Sequence, residues 1–180
     1  MYHTHATIIV QQGMPQEIHQ GMTRFITGIA MQVDTILHRP QAAPEFFVGN
    51  LFTFYRYLNR SEQQTLSGFF NLYPPVLESW LHTLNFIRNA CAHHSRLWNR
   101  VLPIRPQIPD IRHNPEWYSH GNIDNKYIFS VLTLLRYLLK FIDEKSNWHI
   151  RLEHLLNEYP NVPIKWMGFP ENWKEAEIWK

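Results

Sequence analysis

A chain of 180 residues with 44% apolar and 14% aromatic content is of single-domain size and carries enough apolar side chain for a substantial core. A formal charge of only +2 with neutral His excludes nucleic-acid binding through bulk charge, so any contact with a polyanion must rest on where the cations sit. One cysteine, Cys91, excludes an intramolecular disulfide, and with no zinc-finger Cys/His spacing the plainest reading is a reducing cytoplasm.

In chain order, residues 1–15 are polar and His-bearing, without periodicity, and read as an arm; no basic region leads into an apolar run, so no signal peptide is expected. From Pro15 to Leu37, Ile18, Met22, Phe25, Ile26, Ile29, Val33, Ile36 and Leu37 recur at helical spacing, and "HRPQAAP" breaks the pattern. A Phe- and Tyr-rich helix follows from about Glu45 to Leu58, stopped at Asn59. Ser61 and Gln64 have the spacing of a capping box for a short helix through Phe70. The prolines of "YPPVLESW" suit a helix start, and that helix is expected to run from Pro75 into the mid-90s or beyond. Pro103, Pro106, Pro109 and Pro115 punctuate a long connection over 101–121.

The strongest apolar run, "YIFSVLTLLRYLLKFI", is broken by Arg136 and Lys140 and is short for a bilayer, so it reads as a core helix within Ile123–Ile142 rather than a membrane span. Ser146 is expected to cap a helix through Tyr159. The Pro- and Trp-rich tail is expected to wrap on the surface with its indoles buried. The architecture read from these segments is all-α, a bundle of about five to six helices with a long Pro-rich loop and a Trp-rich C-terminal tail.

Chemistry concentrates in "NFIRNACAHHSRLWNR", Asn85 to Arg100, which holds three Arg, three Asn and two His. At ~100° per residue, Asn85, Arg88, Asn89, Ala92, His93, Arg96, Asn99 and Arg100 fall within an arc of roughly 140°. Leu84, Phe86, Ile87, Ala90, Cys91, Leu97 and Trp98 occupy the opposite, core-facing side, and His94 points with them. No acidic residue occurs from Arg88 to Arg105, whereas a face needed only for solubility ordinarily mixes Glu with Lys. Arg offers a permanent planar charge suited to phosphate, His exchanges protons near neutral pH, and Asn can orient a hydroxyl or an imidazole. These are parts for phosphodiester chemistry or phosphate recognition. A plain partner-binding face, or pairing with carboxylates such as Glu78 or Asp110, competes with that reading. Cys91 reads as a small buried hydrophobe.

"SWLHTLNFIRNACAHHSRLWNR" resembles the signature of Abi-like (abortive infection, AbiD/AbiF type) bacterial proteins, members of the HEPN superfamily, whose hallmark is Arg, a polar residue, spacers and His. In this chain those positions are Arg88, Asn89 and His93. "NWHIRLEHLLNEYP" and "MGFPENW" extend the resemblance over Pro44 to Trp179, which divides the chain into an N-terminal arm and helix over 1–43 and an Abi-like HEPN helical domain over 44–180. Family members are usually longer, so the chain reads as a short or N-terminally truncated one.

The resemblance implies a metal-independent endoribonuclease of toxin or phage-defence type, without cofactor, acting as a homodimer in which two motifs face each other. Arg88 and His93 are then the catalytic pair and Asn89 their polar helper, while His94, Arg96, Asn99 and Arg100 position RNA or brace the site. RNA is the implied ligand and an antitoxin an implied candidate partner, with no membrane involved. The alternatives are a catalytically inactive RNA- or protein-binding module and a regulatory partner subunit. A metal-dependent hydrolase is disfavoured, because no carboxylate accompanies the His pair and "HTH" at residues 3–5 falls in the arm.

Overall fold

Leu51 and Tyr55, four residues apart, put one buried face on the first described helix, α1 (Leu51–Tyr57), and Leu58 continues it. In the computed structural model the described residues are 51–93, 95, 97, 99–119, 121–142 and 146–180, without the side chains of Cys91 and Ala92. The arm and the helix expected over Pro15–Leu37 lie outside them.

Asn59 both stops α1 and starts α2 (Arg60–Phe69). Its side chain accepts from the Glu62 N–H at 3.0 Å while the Glu62 carboxylate accepts from the Asn59 N–H at 2.9 Å. The capping box is therefore Asn59/Glu62, two residues before the Ser61/Gln64 box read from the sequence. Asn59 holds the extended backbone (φ −70°, ψ 165°) that a cap position needs, and Asn caps at least as well as Ser. At its other end α2 closes by two backbone bonds, Leu72 N–H to Ser67 O (2.9 Å) and Asn71 N–H to Gly68 O (3.0 Å), with Asn71 left-handed at φ 52°.

The third helix, α3 (Pro74–Ala92), starts at the paired prolines as expected and is the hub of the fold, packing on α1, α2 and α4. Val76, Leu77, Trp80, Leu81, Thr83, Leu84, Ile87 and Ala90 form its buried stripe at spacings of three and four. Trp80, wholly enclosed, meets Trp117 (5.2 Å between ring centres) and Tyr137 (5.5 Å), and its indole N–H donates to Gln107 O at 2.7 Å.

That last bond shows why the long proline-rich connection is ordered. Gln107 N–H donates to the Ser79 hydroxyl (2.9 Å), Leu102 N–H to Lys126 O (2.8 Å), and Asn125 Nδ2 to Pro106 O (3.1 Å), so both ends and the middle are pinned. Leu102, Pro106 and Pro109 are buried, and a 3-10 turn over Pro115–Tyr118 delivers Trp117 to the core.

The helix α4 (Ile128–Ile142) is enclosed almost all round, as its composition requires. It begins five residues later than the expected Ile123, because the Asp124 carboxylate accepts from Lys126 N–H (3.0 Å) and fixes a turn there. After it, α5 (Trp148–Glu158) is preceded by Asn147 in the cap position with no side-chain bond, not by a Ser146 cap. The tail folds back onto α4: Phe129 packs on Phe169 (4.5 Å) and stacks on Trp179 (5.6 Å, 16°), and the Trp179 N–H donates to the Thr133 hydroxyl at 3.3 Å. Trp173 and Trp179 are buried as expected, but Trp166 remains 55% exposed. Among the described residues there are five α-helices and no strand, an all-α bundle, and no helix is long and apolar enough to cross a membrane.

Gly168 closes the turn that returns the tail. It is left-handed at φ +85°, and an added Cβ would stand 2.7 Å from the Tyr127 Cβ. Gly168→Ala is expected to cost about 1–3 kcal/mol, read as a fall in melting temperature. Gly68→Ala, in the last turn of α2 with open space around it, is the control expected to be neutral to stabilising by up to about 1 kcal/mol.

Where α4 and α5 meet, burial first, then Arg136, and more weakly Lys140, hold the His149 pKa below its ordinary value, against an opposing pull from Glu153. The fold thus favours the neutral ring. Stability is full above the unfolded pKa of about 6.5 and falls as pH drops through it towards the folded value. His149→Gln should therefore lose less melting temperature than the wild type between pH 7.5 and 5.5; equal losses would refute this.

Candidate active site at the end of helix α3

Two features of α3 present its last turns to solvent. Ile87 and Ala90 anchor one side in the core, and a backbone bond from Ser95 N–H to Ala90 O (2.8 Å) closes the helix and reverses the chain. His93 stands just at that end, its N–H donating to Asn89 O at 3.0 Å and its side chain exposed. Asn89 is exposed and Arg88 half-buried. The Arg88 Nη1 donates to the Asn89 Oδ1 at 2.9 Å, which ties the guanidinium to its neighbour on the helix surface. Arg88, Asn89 and His93 are thus gathered at one accessible helix end.

The helix ends at Ala92, earlier than the expected mid-90s or beyond, so Asn99 and Arg100 do not share its phase. Asn99 is exposed in a left-handed turn (φ 49°). Arg100 returns by chain reversal, held between the buried Leu97 and Leu102, and its guanidinium carbon lies 5.6 Å from the centre of the Phe86 ring. Phe86, expected to face the core, is only half-buried and sits under that cation. His94, Arg96, Trp98 and the Cys91 side chain lie outside the described residues.

The carboxylates that might have neutralised Arg88 and Arg100 have other partners. Glu78 meets Arg56 at 3.7 Å, and the Asp110 carboxylate accepts from Arg112 N–H at 2.8 Å. Among the described residues no carboxylate lies within ion-pair distance of Arg88 or Arg100. The two guanidinium groups thus have no carboxylate, among the described residues, competing with an anion. Among the described residues, no three His, Cys, Asp or Glu groups converge as metal ligands do.

Residues 42–99 match the family model for Abi-like proteins. The match covers about a third of the chain, and that segment is similar to Abi-like proteins. The Abi-like segment contains α1, α2, α3 and the whole Arg88–His93 motif, and it ends at the residue before Arg100. Residues 100–180 lie beyond it. No curated protein and no solved structure matches the chain. The family suggests a role in abortive infection, that is, phage defence, and a dealing with nucleic acid.

Sequence reading missed His82 and Phe52, whose rings lie parallel at 4.3 Å and 4° beside the same face of α3. The signal was present: His82, Phe86, Asn89 and His93 are spaced by four, three and four residues.

Proposed function

We propose that the chain is a metal-independent endoribonuclease of the abortive-infection type. The observation that carries this reading is the Arg88 guanidinium, held by a hydrogen bond to Asn89 one turn or so before the exposed His93, on a face with no neighbouring carboxylate among the described residues. The superfamily placement in HEPN rests on the motif's resemblance and is part of the proposal.

RNA brings its own nucleophile. The 2′-oxygen forms a bond to the adjacent phosphorus as the P–O5′ bond breaks; a base takes the 2′-hydroxyl proton and an acid delivers one to the leaving 5′-oxygen. His93 carries that proton traffic. Arg88 meets the negative charge that gathers on the phosphoryl oxygens, where a fixed guanidinium can bind two of them at once. Asn89 holds Arg88 in place. Two copies of the chain facing across a twofold would supply a second imidazole and a second guanidinium, one ring acting as base while the other acts as acid.

The test is incubation of the full chain with a single-stranded RNA and a DNA of matching sequence in EDTA. RNA is expected to be cut and DNA spared, since DNA lacks the 2′-hydroxyl. RNA that is bound but left intact would favour a non-catalytic binding module instead.

A further inference from the structure

The Arg88–His93 motif uses only the last turn of α3, yet the same face continues towards the helix start in a different composition. His82, Phe86, Asn89 and His93 lie within about 60° of one another at ~100° per residue. Each of the two rings nearer the helix start has a partner from another segment. His82 is stacked on Phe52 of α1, and Phe52 in turn carries Arg56, itself paired with Glu78, at 5.7 Å from its centre; Phe86 carries Arg100, which has no carboxylate partner among the described residues, at 5.6 Å. Two Arg-on-Phe pairs thus stand side by side, one helical turn apart along α3. Phe52, His82, Phe86 and Arg100 are all half-exposed, so none of these rings is enclosed in the core.

Rings interleaved with arginines, leading into a phosphate-seeking motif, match the needs of one ligand. A single-stranded nucleic acid offers flat bases to the rings and phosphates to the guanidinium groups, and every base has a face that can stack. Arg100 lies beside the half-exposed Phe86 ring, where its guanidinium can meet a phosphate or the face of a base resting there. A double helix offers no such face, because its bases are already stacked. A protein partner could also use rings and arginines, but the phosphate-seeking Arg88–His93 motif that adjoins them favours a nucleic acid.

We infer that Phe86, flanked by the His82–Phe52 stack and by Arg100, is the platform on which a base of single-stranded RNA stacks so that the neighbouring phosphate reaches Arg88 and His93. This rests on the reading that RNA is the ligand of the Arg88–His93 face. Phe86 is a positioning residue in this scheme; it touches the substrate's base and not the reacting phosphate.

The test uses the full chain carrying His93→Ala, so that RNA stays intact, and a fluorescein-labelled single-stranded RNA of mixed sequence. Adding Phe86→Leu, which keeps an apolar side chain, is expected to weaken binding about tenfold, and Phe86→Tyr to restore it. Melting curves accompany each variant; should Phe86→Leu melt early, His82→Ala, at a half-exposed position, is expected to weaken binding several-fold with the fold intact.

Unchanged affinity in Phe86→Leu and His82→Ala overturns the proposal. So does a Phe86→Tyr chain as weak as the Leu variant, or duplex RNA bound as tightly as the single strand. A parent chain that binds no RNA also overturns it, and a protein captured through this face would then be its occupant. RNA cleavage by the wild type, measured alongside, separates the two readings. Cleavage with normal binding by Phe86→Leu removes the platform and keeps the nuclease; the Phe86 pattern without any cleavage removes the nuclease and keeps the platform.

Discussion

His93→Ala and Arg88→Ala should each lower RNA cleavage by at least about 10²-fold, the usual size of a lost general acid–base group or of a lost donor to a developing oxyanion. The fold should survive both changes, because His93 is exposed and Arg88 makes its side-chain hydrogen bond, among the described residues, with its neighbour Asn89 on the surface. Arg88→Lys is expected to recover only part of the activity, since an ammonium keeps the charge but loses the fork that grips two oxygens. Asn89→Ala should fall between, as it frees the guanidinium without removing it. If the site is shared between two copies, mixing the His93→Ala and Arg88→Ala chains should restore part of the lost rate; no restoration would mean that each motif works alone. Cleavage rates paired with melting curves decide among these outcomes, and wild-type rates in both alanine variants would sink the assignment.

Trp80→Ala is the substitution expected to damage the fold most. The indole is wholly enclosed, packs on Trp117 and Tyr137, and holds the proline-rich connection by its bond to Gln107 O. Truncation should cost about 3–5 kcal/mol for the lost ring and the cavity left behind. It would also leave the Gln107 carbonyl without that donor. Against a typical stability of about 5–15 kcal/mol, most of the folded population could be lost near body temperature. Trp80→Phe keeps a ring between Trp117 and Tyr137 and should lose less, its deficit being a smaller volume and one hydrogen bond of about 0.5–1.5 kcal/mol. Urea midpoints for the three chains check the order. Equal midpoints for Ala and wild type would mean that α3 is not the hub of the fold.

What the sequence disclosed follows the strength of its physical signals. The α4 helix was readable because its apolar run exceeds any strand length and carries no turn residue, and α3 because paired prolines mark its start and its buried stripe keeps strict spacing. Helix ends were less readable, since several polar residues compete for each cap: Asn59 prevailed over Ser61 by holding the extended backbone, and Asp124 set a turn where Ile123 had looked helical. Spacing placed Arg88, Asn89 and His93 on one broad polar strip, and the family resemblance singled them out from it. The place of Arg100 did not follow from spacing, because it depends on a chain reversal after Ala92 and on the burial of Leu97 and Leu102, which helical phase cannot foresee. Phe86 sits on the border of the wheel, about 20° past His93, so helical phase does not decide its side, and the reversed chain lays a cation on its ring. His82 and Phe52 meet across two helices, a pairing that no single-segment pattern contains.

The measurement closest to the chemistry is analysis of the ends left by cleavage in EDTA. Attack by the 2′-oxygen predicts a 2′,3′-cyclic phosphate on one fragment and a 5′-hydroxyl on the other, and predicts that a single 2′-deoxy substitution at the cut position blocks cutting there. A 3′-hydroxyl paired with a 5′-phosphate, or cleavage that ignores the 2′-deoxy substitution, would contradict proton transfer by His93 and charge stabilisation by Arg88 at an attacking 2′-oxygen.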